Sequence, residues 1–424
     1  MTNNLQEQST AESEAIAYLR TPQAIRDRCG QLFDLALRDE LPHFRLDLAQ
    51  LAPTAAYVLQ VMRDNYPTLA VPFHSRWRHF AAGGVDRTAA VMAAIAPQDP
   101  IEQARIQFDL VILSVLLDAG AGATWKYLEP TTGQVYTRSE GLAVASFHTF
   151  CQGTFAADPS QPLRADAAKL QQITVAELAD AFQVSDRNPL VGLEGRVALL
   201  QSLGQVLQEK PEYFGRSDPR PGGLVDYLLQ QVEWSSTQEN QQVAAPQILQ
   251  AVLTSLGDIW PGRASLAGVN LGDVWPHPAL PADAPGANLV PFHKLSQWLT
   301  YSLLEPLQHL GLTITGLDQM TGLAEYRNGG LMLDMGLIQP KQKAMLMQKH
   351  TPGSPVIVEW RSLTLILLDR IAATLRQQLG QDEQQLPLVK VLEGGTWLAG
   401  RKIAAAKRPD ASPPLQIESD GTVF

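Results

Sequence analysis

Residues 106–117, IQFDLVILSVLL, decide the architecture. The stretch is apolar on nearly every side, with no strand-like alternation and no face left for water, so it reads as a helix at the centre of a core. About a dozen apolar residues fall short of the ~20 that a membrane-spanning helix needs. The run stops at Asp118-Ala119-Gly120-Ala121-Gly122, where two glycines permit a sharp departure.

Helical periodicity continues on both sides of this centre. Upstream, residues 14–37 are amphipathic with a break at Thr21-Pro22, and residues 51–65 repeat the pattern. Downstream, Thr174-Val175-Ala176-Glu177 is a capping box that predicts a helix to Phe182. Residues 195–207 resume the period, and Pro355 opens a further apolar helix through Ile371. From Phe292 onward Leu295, Leu299 and Leu303 share one helix face, while Lys294, Gln297 and Tyr301 lie on a neighbouring one. Alternating patterns are scarce, apart from one small hairpin predicted near Tyr127–Thr137 around Thr131-Thr132-Gly133-Gln134. Two Pro/Gly-rich segments, 211–223 and 276–291, read as long loops, which in compact domains are usually functional or mobile. The fold class is mainly α with a minor β hairpin, organised as a single domain over 1–424 with a disordered tail expected over 1–13.

Composition narrows the function. Among 424 residues, 33 Lys+Arg against 43 Asp+Glu leave a net charge of −10, which offers no basic face to a nucleic acid. The two cysteines, Cys29 and Cys151, share no short spacing, so neither a disulfide framework nor a zinc ribbon is implied. The polar, acidic start has no basic or apolar leader segment, and a soluble protein of the reducing cytoplasm is expected, without nucleic-acid or membrane partners. No GxGxxG, GxxxxGK[ST], HExxH or GxSxG motif occurs. His74 and His79 stand five apart, out of phase for one helix face, and with His277 and His293 they form no metal-ligand pattern. No metal or cofactor is expected.

The remaining signal is charge inside apolar helices, which costs several kcal/mol unless it is paired or put to use. The instances are Asp118, Lys294, Glu325-Tyr326-Arg327-Asn328 before Gly329-Gly330, Asp334, and Glu359-Trp360-Arg361. Glu359 and Arg361 are expected to pair with other buried charges. Glu325 stands out, because it follows a loop-like stretch and precedes a Gly-Gly that lets backbone approach closely.

In order along the chain, several of these segments resemble the queuosine salvage proteins, N-glycosylases that release queuine from its ribonucleotide. The similar segments are Leu117-Asp118 before Trp125, Phe182–Asp186 with Asn188-Pro189-Leu190 and Glu194-Gly195-Arg196, Pro291–Gln297, Ala324–Arg327, and Val358–Arg361. That resemblance implies a two-lobed helical fold related to helix-hairpin-helix DNA glycosylases. A second resemblance covers nearly the whole chain. His74–Phe80, Leu117–Gly122, Glu325–Gly330, Leu392–Trp397 and the closing Ser419–Phe424 look like the signatures of a family known mainly as a domain of unknown function. Its fungal members belong to a uracil catabolism pathway and are implicated in disposing of a ribosylurea.

Together the resemblances imply cleavage of a ribosyl C1′–N bond. Glu325 stands where the queuosine enzymes have aspartate, and His293 where they carry an aromatic residue, so recognition of a large base is not carried over. The implied catalytic pair is Glu325, facing the anomeric carbon, and Lys294, opposite it across two helices. Asp118, Trp125 and Gln297 are expected to hold the small urea group. Tyr326, Arg327, Asp334 and His293 are expected around the ligand, with Arg76, Arg78, Arg138 or Arg327 on a 5′-phosphate and residues 422–424 folding over the site. Two alternatives stand beside this hydrolase: an amidohydrolase that splits the urea moiety, and a non-catalytic protein that binds a nucleoside-like ligand. The oligomeric state is left open.

Overall fold

From Ile106 to Leu116 every side chain of the central helix, Pro100–Leu116, is buried. Asp99 caps its start by accepting from Ile101 N, with Pro100 at the first helical position. Its one buried charge, Asp109, is compensated: Arg220 Nη2 lies 2.6 Å from Oδ2, and the amides of Gly222 and Ala165 donate at 2.6 and 3.1 Å. An all-round apolar helix is therefore stable only because its neighbours enclose it. Truncating Leu110 or Ile112 to alanine is expected to cost about 2–5 kcal/mol.

The computed structural model describes residues 2–118, 120–232, 241–260 and 264–418. The central helix packs against helices Lys294–His309 and Arg138–Cys151. The long helix Pro355–Leu379 packs on Pro22–Leu37 and Leu51–Asn65, and the short helix Tyr326–Asp334 on Trp397–Lys407. Two glycines let the short helix sit close to its neighbours, Gly329 against the long helix Pro355–Leu379 and Gly400 of Trp397–Lys407 against the short helix itself. A Cβ on Gly329 would meet the Trp360 ring at 2.6 Å, and one on Gly400 would collide with the carbonyl of Arg327.

The fold is mainly α with minor β, as the periodicity predicts. The hairpin is present, with Lys126–Leu128 antiparallel to Val135–Thr137. Five further pairs of two- or three-residue strands occur among the described residues, most joining segments distant in sequence, such as Phe44–Leu46 with Ile338–Pro340. The capping box at Thr174 and Glu177 is formed, and Thr21 caps the second helix at the predicted break.

Residues 2–13 lie in helix Thr2–Leu19, whose end packs Leu19 against Leu271 and Val274. Two local expectations are corrected. The Pro-rich segment 276–291 begins and ends in an antiparallel pair, Val274–Pro276 with Leu289–Pro291, so it delivers Phe292-His293-Lys294 from a fixed ladder. Segment 211–223 holds two helical turns, Pro211–Phe214 and Pro221–Gly223. No described helix is long and apolar enough to cross a membrane.

Candidate active site

A cavity of ≈ 510 Å³ lies where the central helix ends and three other helices begin. Asp118 follows that helix, Lys294 opens Lys294–His309, Arg138 opens Arg138–Cys151, and Glu325 caps Tyr326–Asp334. All four line the cavity. Unpaired amides and the positive end of the dipole make helix N-termini good places for a carboxylate and poor ones for a lysine. Glu325 uses this directly: its Oε2 accepts from Arg327 N at 2.8 Å and Asn328 N at 3.3 Å. The longer side chain, compared with aspartate, folds back onto its own helix and is held there.

Lys294 is tolerated at its helix start because Asp273 takes the backbone amide, with Lys294 N donating to Oδ2 at 3.1 Å. Asp273 in turn receives both terminal nitrogens of Arg361 at 2.7 Å. Arg361 pairs with a buried charge as expected, although its partner Asp273 had drawn no attention in the sequence. The Lys294 ammonium is coupled electrostatically to Glu325 and Asp118. Burial pushes the Glu325 carboxyl above its usual range, against the opposing pull of Lys294, Arg327 and the two amides. Burial likewise pushes the Lys294 ammonium down, against Glu325.

Asp118 is the third charged group. Arg76 Nη1 lies 2.8 Å from Oδ1, and Ser139 Oγ donates to the carboxylate at 2.7 Å. Burial raises the Asp118 carboxyl while Arg76 and Ser139 lower it. Arg76 is fully buried and spends Nε on Ser114 Oγ at 2.7 Å. It supports Asp118 from behind and is not part of the cavity lining.

Four more expected ligand contacts lie elsewhere. Trp125 is in the core, its Nε1 donating to Phe182 O at 3.0 Å. Gln297 is fully buried, bridging Phe292 O and Thr321, while Tyr301 on the same face donates to Thr321 O. Asp334 pairs with Arg408 at the far end of its helix, Nη1 to Oδ1 at 2.8 Å. His293 adopts φ 47° and places Nε2 2.8 Å from Leu19 O, facing away from the cavity. Each of these side chains makes a hydrogen bond within the fold, and none lines this cavity. Tyr326 and Arg327 do line the cavity, and Arg327 Nη1 donates to Ala411 O at 2.8 Å. Segment 422–424 lies outside the described residues; the preceding stretch, including Ala411 and Ser412, forms part of the wall.

The aromatic part of the wall was missed. His74, His79, Trp298 and Trp397 form an aromatic cluster with ring centroids 5.5–6.4 Å apart. Trp298 lies one turn after Lys294, on the face that fronts the cavity, whereas the sequence reading followed Gln297 and Tyr301. The five-residue spacing of His74 and His79 argued against a shared helix face. His74 precedes the short helix Arg76–Phe80, so that phase rule does not apply to it.

The described body is helical, and one cavity in it is lined by carboxylates, a lysine, arginines and an aromatic cluster. The chain belongs to the family described as "Protein of unknown function (DUF1688)", which matches residues 18–424. It is 38% identical over 441 residues to "Uracil catabolism protein 4" of Lachancea kluyveri, covering 96% of this chain and 99% of that one. It is 36% identical over 419 residues to "Protein urg3" of Schizosaccharomyces pombe, covering 97% and 100%.

Proposed function

We propose that this chain acts in uracil catabolism as an N-ribosyl hydrolase, cleaving the C1′–N bond of ribosylurea or its 5′-phosphate to release urea. The name of the Lachancea relative supports the pathway. The observation that carries the chemistry is the Glu325 carboxylate, pinned by two backbone amides in the same cavity as Lys294 and Asp118. The cavity, ≈ 510 Å³, is within the size of small-molecule sites, about 300–1,000 Å³.

N-ribosyl hydrolysis passes through an oxocarbenium-like sugar, as glycosidase reactions do. Glu325 stabilises the positive charge at C1′ and takes a proton from the attacking water. Its raised carboxyl brings it nearer neutrality than an ordinary glutamate, which suits a general base. Lys294 and Asp118 hold the sugar hydroxyls, one as donor and the other as acceptor. A cysteine nucleophile for amide cleavage finds no support, because burial pushes the Cys29 thiol up to about 12 and Cys151 up to about 11.

The test is incubation of purified protein with ribosylurea and with its 5′-phosphate, following urea release. Release of intact urea from either substrate supports the reading. Ammonia without urea points to the amidohydrolase, and tight binding without turnover to a ligand-binding protein.

A further inference from the structure

The hydrolase reading leaves one step without a residue: urea departs poorly as an anion, so the leaving nitrogen needs a proton. Two cavity-lining imidazoles on the aromatic wall are built differently. His79 Nδ1 faces Arg76 Nη1 at 3.2 Å and Ser139 Oγ at 3.3 Å. A guanidinium carries only donors, so Nδ1 is the acceptor and the ring stays neutral, with its hydrogen on Nε2. Burial first, then Arg76, pushes this imidazole well below its usual range.

His74 has the opposite partner. Its Nδ1 lies 2.7 Å from Glu393 Oε2, and both side chains are buried. Tyr66 donates to the other carboxylate oxygen at 3.4 Å, and His74 N donates to Val389 O at 3.1 Å, so carboxylate and ring are each fixed from a second direction. Glu393 sits in a π-helical turn, Leu392–Thr396, that leads straight into Trp397 of the wall. Such turns recur at functional sites. With Nδ1 held, Nε2 remains as the ring nitrogen with no hydrogen-bond partner among the described residues.

The wall also adjoins Lys294 through Trp298 on the same helix. Trp298 follows Lys294 by four residues, about 6 Å along the helix, and its ring centroid is 6.4 Å from that of His74. A sugar at Lys294 and Glu325 would extend its planar leaving group along Trp298 toward His74.

Resting on the hydrolase reading, we propose that His74, oriented by Glu393, is the general acid that protonates the departing urea nitrogen, with His79 as a neutral hydrogen-bond donor beside it. In the step, the water oxygen bonds to C1′ and its proton passes to Glu325. The C1′–N bond breaks, its electron pair stays on nitrogen, and nitrogen takes the Nε2 proton of a doubly protonated His74 ring, which keeps its Nδ1 proton on Glu393 and is left neutral. Glu393 is a positioning residue, since it acts only through His74.

The test compares two leaving groups, ribosylurea and p-nitrophenyl β-D-ribofuranoside, whose nitrophenolate departs without a proton. His74→Gln is expected to lose about 10²–10⁴-fold in kcat on ribosylurea and to stay within a few-fold of wild type on the nitrophenyl riboside. Retained nitrophenyl turnover also shows that the variant is folded. Glu393→Gln is expected to show the same split with a smaller loss, whereas a purely structural role would lower both substrates together. Wild-type turnover of ribosylurea by His74→Gln, or equal loss on both substrates in both variants, overturns the proposal while leaving the hydrolase standing. Where the wild type requires the 5′-phosphate, both substrates carry it; a wild-type enzyme that cleaves neither ribosylurea nor its 5′-phosphate removes the hydrolase reading, and the proposal with it.

Discussion

At the residue scale the account depends on the Glu325 carboxylate, held by two backbone amides at the wall of the cavity. Glu325→Gln keeps the two amide bonds through its side-chain oxygen but removes the charge. It is expected to lower kcat by at least 10²-fold, with an unfolding midpoint close to wild type by thermal melting. The pH profile follows from the same group. Glu325 must be ionised to work, and burial raises its carboxyl above the ordinary 4.5. Activity should therefore be present at neutral pH and lost as pH falls through a value above 4.5; an acid limb at or below 4.5 would contradict this. Glu325 and Lys294 were legible in the sequence because a charge in an apolar setting demands a reason. Asp334 drew attention on the same grounds, and Trp125 and Gln297 as partners for a planar urea group, yet Arg408, Phe182 O and Thr321 engage them. A single sequence does not show which polar atom meets a distant backbone carbonyl, and so separates ligand contacts poorly from core satisfaction.

At the element scale the short helix Tyr326–Asp334 carries the site, and its position depends on close packing. Gly329→Ala would put a methyl group 2.6 Å from the Trp360 ring. A cost of about 1–3 kcal/mol in unfolding free energy is expected, together with reduced kcat as the helix start shifts, measurable by denaturation and by assay. The hairpin offers an independent test. Arg87 grips Glu129 with Nε at 2.6 Å and Nη2 at 2.7 Å, holding the carboxyl down at about 2. A depressed folded-state value means stability that is full above the unfolded value near 4.5 and is lost as pH falls toward 2. Glu129→Gln should thus cost about 3–5 kcal/mol at pH 7, and the gap from wild type should narrow at pH 3. Elements with local signals, such as the capping box, the Thr21 cap and the hairpin turn, were readable. The remaining strand pairs were not, because two or three residues carry no periodicity and most of their partners lie far along the chain.

At the scale of the whole molecule, the cavity is a product of convergence: one helix end, three helix starts and the 410–417 segment meet around it. That segment is tied by Arg327 to Ala411 O and by the parallel pairing of Gln416–Ile417 with Lys349–His350. Removing residues 410–424 is expected to leave the helical content unchanged by circular dichroism and to raise KM at least tenfold. The central helix foretold a mainly α core, whereas the meeting of His74, Trp298 and Trp397 arises from tertiary packing alone. The most direct measurement follows the anomeric carbon of [1′-¹³C]ribosylurea, and of its 5′-phosphate, by NMR during incubation with wild type and Glu325→Gln. The account predicts that in wild type the N-linked signal gives way to that of the free sugar, with equimolar urea, and that the variant leaves it in place. Persistence of the N-linked signal in both substrates while urea nitrogen is lost as ammonia, or equal conversion by the variant, would contradict it.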